Sequence, residues 1–203
     1  MISIVDYGVG NLFSLKSSFD AIGEESVVTP DPEIIKASDK IVLPGVGAFR
    51  DAVEKLKNTG LGDVVVSEAG NGKPLLGICL GMQLLLDKSY EFGEYDGLGL
   101  VPGIVRPLEG YIPPGLKIPQ MGWNALELKE SCPVFADTKS GEYVYFVHSY
   151  WCDSPEKYVS AVCEYGKDVT AAVVNGNIYG CQFHPEKSGP AGLKILKAFC
   201  EEL

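Results

Sequence analysis

Over the first half of the chain, short runs of largely apolar residues alternate with segments of mixed apolar and polar positions. Ile2 to Val5, Glu25 to Thr29, Lys40 to Leu43 and Pro74 to Ile78 predict strands, the third ended by Pro44. Between and after them, helices are predicted from Asn11, read as a cap, to about Ala21, then over Asp31 to Ala37, Phe49 to Lys57, Leu61 to Ala69 and Gly81 to Lys88. Strands of predominantly apolar character, spaced by helices, imply a parallel sheet covered on both faces.

From Leu100 onward the pattern changes to short β runs punctuated by turn residues. Pro102 to Pro119, rich in Pro and Gly, predicts a long loop. Tyr143 to Trp151, Val159 to Tyr165 and Val169 to Val174 predict strands, and Asn175-Gly176 a hairpin turn into a strand over Ile178 to Phe183. A last helix is expected from about Pro190 to Glu201. The whole reads as one α/β domain over residues 1–203 with an antiparallel extension.

Composition narrows the functional classes. The formal net charge is -10, which argues against nucleic acid as the main partner, because phosphate binding needs clustered Lys and Arg. The apolar run Pro74 to Leu86 is interrupted by Gly77, Gly81 and Gln83, short of the ~18 residues a membrane span needs. The chain opens Met1-Ile2-Ser3-Ile4-Val5 with no basic region before it, so the expected location is the cytoplasm, with no membrane partner. Cys79, Cys132, Cys152, Cys163, Cys181 and Cys200 form no C-x-x-C pair and no zinc-ligand spacing with histidine, so free thiols and no metal site are expected. There are only two histidines, His148 and His184, and an imidazole base must be one of them.

Pro74-Leu75-Leu76-Gly77-Ile78-Cys79-Leu80-Gly81-Met82-Gln83 has the form strand, G-x-C-x-G, helix, the thiol version of a nucleophile elbow. Such a turn leaves no room for side chains two residues either side of the nucleophile. It lifts the thiol above the sheet edge, close to a helix N-terminus, where the dipole favours thiolate over a thiol of pKa about 8.5. The backbone N–H of Leu80 is left to bind a developing oxyanion. Taken alone, the pattern also fits a buried structural cysteine between two packing glycines.

Gly180-Cys181-Gln182-Phe183-His184-Pro185-Glu186 supplies a base and its orienter. The strand delivers His184, Pro185 stiffens the corner, and Glu186 can turn back onto the ring and fix its tautomer. His148, inside Phe146-Val147-His148-Ser149-Tyr150 with no acidic neighbour in sequence, reads as a hydrogen-bonded structural histidine. Leu43-Pro44-Gly45-Val46-Gly47-Ala48-Phe49 follows the third strand, on the side where parallel sheets bind ligands. An N–H from Val46 or Gly47 would complete the oxyanion hole begun by Leu80. Gly8-Val9-Gly10 lacks the third glycine and acidic partner of a dinucleotide fingerprint and is set aside.

Together, Gly77 to Gln83 and Gly180 to Glu186 resemble the class I, triad-type glutamine amidotransferases. Asp6-Tyr7-Gly8-Val9-Gly10-Asn11, Leu43 to Phe49, Gln120-Met121-Gly122-Trp123-Asn124, Tyr145 to Tyr150 and Glu186-Lys187-Ser188 are similar to the glutaminase subunits of imidazole glycerol phosphate synthases. The match spans nearly the whole chain in order, with no departure at a catalytic position.

The resemblance implies a mixed, mostly parallel central sheet flanked by helices, flavodoxin-like, with an antiparallel β extension. It implies Cys79, His184 and Glu186 as a triad that hydrolyses glutamine to glutamate and ammonia without a cofactor. Val46, Gly47 and Leu80 would form the oxyanion hole, with the loop Pro44 to Gly47 as a switch. Gln83, Glu91 and the strand His148-Ser149-Tyr150 would hold the substrate. Ammonia would pass to a (β/α)₈ cyclase subunit in histidine biosynthesis, with Asn11, Met121, Trp123, Asn124 and Tyr145 at the interface and gate. From the residues alone, Trp123 and Tyr145-Phe146 read as sheet packing. Two other readings remain open at this point, an amidotransferase with a different acceptor and a cysteine sensor idle towards glutamine. Selective labelling of Cys79 by a glutamine-analogue electrophile separates the second from both glutaminases.

Overall fold

The computed structural model describes residues 1–129 and 132–203. The first half follows the strand and helix order expected of it: β1 (Ile2–Val5), α1 (Leu12–Ala21), β2 (Ser26–Thr29), α2 (Pro32–Ala37), β3 (Lys40–Gly45), α3 (Phe49–Thr59), α4 (Leu61–Gly70), β4 (Leu75–Cys79) and α5 (Leu80–Leu84). Local chemistry explains several boundaries. Asp31 accepts a hydrogen bond from Glu33 N at 2.9 Å and Pro32 opens α2. Gly60, at φ +71°, closes α3 in a left-handed cap and starts α4. Asn11 stands at the α1 cap position, but its side chain makes no capping hydrogen bond.

The second half contributes β5 (Leu86–Ser89), β6 (Tyr95–Asp96), β7 (Val101–Pro107), β8 (Gln120–Ala125), β9 (Glu127–Leu128), β10 (Tyr143–His148), β11 (Tyr150–Asp153), β12 (Val159–Glu164), β13 (Asp168–Asn175), β14 (Ile178–Cys181) and α6 (Gly189–Glu201). The main sheet has eight strands in the order β2-β1-β3-β4-β14-β13-β12-β9. β2 through β14 are mutually parallel, and β13, β12 and β9 extend the edge in antiparallel fashion. This is the mixed, mostly parallel sheet expected, with its antiparallel extension. Two smaller sheets stand apart, β10-β8 and β11-β7-β5-β6.

The unbroken apolar runs have a direct structural meaning. Along β3, Val42 enters one buried cluster with Leu15 and Phe19 of α1 and Ile195 and Phe199 of α6. Its neighbours Ile41 and Leu43 enter the other, with Ile35 of α2, Phe49 and Leu56 of α3 and Val65 of α4. Alternate side chains thus serve opposite faces, and both faces are covered.

Three expectations need correction. The helix expected to reach Lys88 ends at Leu84, because Leu86–Ser89 pairs instead with β7 and β6. The expected loop from Pro102 contains β7. Its prolines fall where a ladder tolerates them: Pro102 lies in the register shift between Leu86↔Val101 and Lys88↔Ile104, and Pro107 is the last residue. The run Tyr143 to Trp151 divides at Ser149, giving β10 to one small sheet and β11 to the other.

Candidate active site

The parallel order of β3, β4 and β14 places three chain segments side by side at their carboxyl ends. Cys79 is the last residue of β4, Val46 follows β3 directly, and His184 follows β14. Cys79 has φ 55° and ψ -110°, a positive φ without the excuse of glycine. Such a backbone costs roughly 1–3 kcal/mol and persists only where the surroundings impose it. Those surroundings are close. A Cβ on Gly81 would run into the carbonyl oxygen of Leu43, and one on Gly77 would lie 2.7 Å from the carbonyl oxygen of Gly81. The glycines of the G-x-C-x-G spacing are therefore steric requirements of the turn.

His184 is held from both sides. Glu186 Oε1 accepts a hydrogen bond from His184 Nδ1 at 2.8 Å, and both side chains are 3% exposed. Nε2 is thereby left for the thiol. Burial by itself lowers the His184 pKa. Hydrogen bonding to Cys79 and Glu186, with their charges, outweighs it and lifts the value to about 9. The segment is also stapled to β10. His184 N donates to Tyr145 O at 2.9 Å, Tyr145 N donates to Ser188 Oγ at 3.0 Å, and that hydroxyl donates to His184 O at 2.6 Å.

Cys79, Leu80, His184, Val46 and Gly47 share a cavity of about 340 Å³ with Gln83, Glu91 and residues 147–150. Gly47 has φ +94°, a conformation that favours glycine, and Val46 is exposed. At the root of this loop the buried Tyr7 hydroxyl donates to Pro44 O at 2.7 Å. The expected oxyanion-hole and substrate-binding residues therefore all line one chamber.

Two of the expected substrate-binding side chains are partly spent within the protein. Gln83 Nε2 donates to Tyr150 O at 3.1 Å and to Gln182 Oε1 at 3.0 Å, so its Oε1 is the atom left to meet a ligand. Glu91 Oε2 accepts from Phe49 N at 2.8 Å, and burial raises the Glu91 pKa against that bond. His148 Nδ1 donates to Tyr150 O at 2.8 Å, and its Nε2 has no partner. Burial, with the charge of His184 nearby, pushes its pKa down to about 4. It is a neutral, hydrogen-bonded ring, as its sequence context suggests, yet it lies in the chamber wall.

The expected interface residues lie outside the lining of that chamber. Trp123 pairs with Tyr145 across β8 and β10, and the rings meet edge-on at 6.0 Å. Met121 is 63% exposed and Trp123 52%, while Phe146 is fully buried. The packing reading thus fits Phe146 and not Trp123. Asn124 Nδ2 donates to Glu164 O at 3.3 Å. Asn11 borders a small cleft with His184 and Glu186.

All six thiols are free. Burial pushes up those of Cys132, Cys152 and Cys181, as well as Cys163 to about 11 and Cys200 to about 12. Among the described residues no cluster of three or more His, Cys, Asp or Glu side chains could hold a metal ion, and no helix is long and apolar enough to cross a membrane. Sequence reading gave no role to Tyr7, Gln182 or Ser188. Gln182 sits inside the His184 motif, but only the β4–β14 pairing turns it towards Cys79, and nothing in the local spacing marks the other two.

A strand-end cysteine at a strained elbow, a buried His–Glu pair and a glycine loop meet at one end of a doubly covered sheet, an arrangement suited to amide hydrolysis through a thiol. The chain belongs to the class-I glutamine amidotransferase family, whose profile matches residues 3–203. It is similar to the imidazole glycerol phosphate synthase subunit HisH of Geobacter sulfurreducens, 48% identical over 204 residues and covering 98% of each chain. The corresponding HisH subunit of Caldanaerobacter subterraneus subsp. tengcongensis is 48% identical over 202 residues, 99% of this chain and 98% of that one. A solved structure described as a glutamine amidotransferase superposes with a TM-score of 0.76 over 98% of this chain and 100% of that one; at 19% identity it speaks for the fold alone.

Proposed function

We propose that this glutamine amidotransferase is the glutaminase subunit of an imidazole glycerol phosphate synthase, acting as one domain over residues 1–203. It hydrolyses glutamine and hands the ammonia to a (β/α)₈ cyclase subunit, in the cytoplasm, during histidine biosynthesis. The observation that carries the chemistry is the buried His184–Glu186 hydrogen bond of 2.8 Å beside the Cys79 elbow. The full-length likeness to HisH subunits supports the choice of acceptor pathway.

Glutamine enters the chamber with its side-chain amide at Cys79. Its amino-acid end lies against Gln83, Glu91 and the backbone of His148-Ser149-Tyr150. His184 Nε2 takes the thiol proton, and the thiolate attacks the amide carbon. The negative charge that develops on oxygen is met by Leu80 N–H and by the Val46–Gly47 loop. His184, oriented by Glu186, then protonates the departing nitrogen, the C–N bond breaks and ammonia leaves. A water gives its proton to the same ring and attacks the thioester, releasing glutamate and restoring the thiol. Asn11, Met121, Trp123, Asn124 and Tyr145 form the surface that meets the cyclase and gates the ammonia. Movement of Pro44 to Gly47 switches the site on.

The test is glutamate release from glutamine by the purified chain, alone and with the cyclase subunit and its ribulosyl phosphate substrate, beside Cys79→Ala. Strong stimulation by the cyclase, abolished in Cys79→Ala, is expected. Turnover indifferent to the cyclase would sink the named partner and keep the glutaminase. Absence of turnover in every mixture, with Cys79 unlabelled by a glutamine-analogue electrophile, would overturn the enzyme reading altogether.

A further inference from the structure

One hydrogen-bond chain runs from the chamber wall to the buried side of Cys79. It begins at the carbonyl oxygen of Tyr150, a group that can only accept. Gln83 Nε2 donates to it at 3.1 Å. The same nitrogen donates its second hydrogen to Gln182 Oε1 at 3.0 Å. Gln182 Nε2 lies 3.8 Å from Cys79 Sγ, within reach of an N–H···S hydrogen bond. Gln182 is fully buried and Gln83 is 5% exposed, so water does not compete freely for these groups.

The direction of this chain follows from its first member. A side-chain amide can ordinarily be turned end for end without changing its shape. Here the Tyr150 carbonyl requires the amino end of Gln83, which requires the oxygen end of Gln182, which leaves the amino end of Gln182 facing sulfur. A donor in that place favours the charged form of the thiol over the neutral one.

We propose that Gln182 is a further catalytic residue, whose amide N–H donates to the Cys79 sulfur and stabilises the thiolate, and that Gln83 and the Tyr150 carbonyl hold it in that direction. This rests on Cys79 being the nucleophile. The backbone segment against which glutamine lies thus also sets the polarity of the group behind the attacking atom. Gln83 has two duties: its Oε1 faces the substrate, and its amino group aims Gln182.

Iodoacetamide alkylation of Cys79, read by peptide mass spectrometry across the pH range, tests the proposal without glutamine turnover. In Gln182→Met, which keeps the length and removes the donor, the midpoint of the pH profile rises by about one unit, so alkylation on the acid side slows about tenfold. In Gln182→Glu the added charge moves it further in the same direction. Should Gln182→Met fail to fold, Gln83→Met carries the test, since it frees the amide to turn and gives a smaller rise. A midpoint unmoved in the folded variants overturns the role of Gln182 while leaving the triad intact. No enhanced alkylation of Cys79 in the unaltered protein would instead remove the nucleophile reading on which the proposal stands.

Discussion

The end of β10 and the segment after β14 each deliver one histidine to the same chamber, and their surroundings drive the two rings apart. His148 and His184 are both buried, at 6% and 2% exposure. Against a common starting value of 6.5, one falls to about 4 and the other rises to about 9. Burial lowers both. The difference lies in what each ring meets. His148 has a backbone carbonyl at one nitrogen and nothing at the other. His184 has a carboxylate at one nitrogen and the Cys79 thiol near enough to raise its pKa. Burial by itself makes a neutral spectator; burial with two acidic partners makes a ring ready to hold a proton. An orienting carboxylate, more than depth, separates the ring proposed as base from the ring in the wall.

The largest break in this contrast is Glu186→Gln, which removes the charge and leaves the shape. Glutamine turnover should fall by about a thousandfold or more, by analogy with loss of the orienting acid in other triads. The same variant tests the proton balance. Because the folded His184 value lies above 6.5, the fold favours the protonated ring. Its stabilisation is complete below pH 6.5 and is lost as the pH rises towards about 9. Urea midpoints of the unaltered protein should decline across that window, and the decline should shrink in Glu186→Gln.

A smaller effect is expected where the two regions are joined. Ser188→Ala cuts the hydroxyl that accepts from Tyr145 N and donates to His184 O. Leaving those buried groups unmatched should cost about 1–3 kcal/mol by denaturant unfolding. The loosened His184 should also lose more turnover than that stability change accounts for. Stability alone changing, with kcat/KM intact, would show that β10 does not position the base.

The smallest effect belongs to His148→Gln. The folded His148 value lies below 6.5, so its stabilisation is present above pH 6.5 and is lost as the pH falls through about 4. The variant should flatten the acid limb of the stability profile between those values. Turnover should fall by about tenfold at most, the scale of one neutral hydrogen bond. A loss as deep as that of Glu186→Gln would make His148 a second base and dissolve the contrast.

How much of this was legible beforehand follows from how local each signal is. β1, β3 and β4 are readable because each strand is buried along its whole length and so is largely apolar. The elbow is readable because sterics restrict its glycines. His184 and Glu186 are two residues apart, so their contact is written into the spacing. The helix expected beyond Leu84 stops short because Leu84-Leu85-Leu86 suits helix and strand equally well, and only the distant β7 turns Leu86 into a strand residue. β7 itself was hidden by prolines whose harmlessness depends on a register shift. Tyr7, Gln182 and Ser188 act on residues 37, 103 and 4 positions away. The first two bonds depend on strand order, and the third on a turn that places a serine under its own carbonyl neighbour.

The space denied at Gly81 has a further consequence. The missing methyl lets the Leu43 carbonyl rest against the first turn of α5, and that carbonyl lies just upstream of the loop facing Cys79. Residue 81 therefore acts as a spacer gauge between two walls of the proposed active site. Alanine there would push β3 away and widen the gap that Val46 and Gly47 must span, detuning the site from a position outside the lining of the chamber.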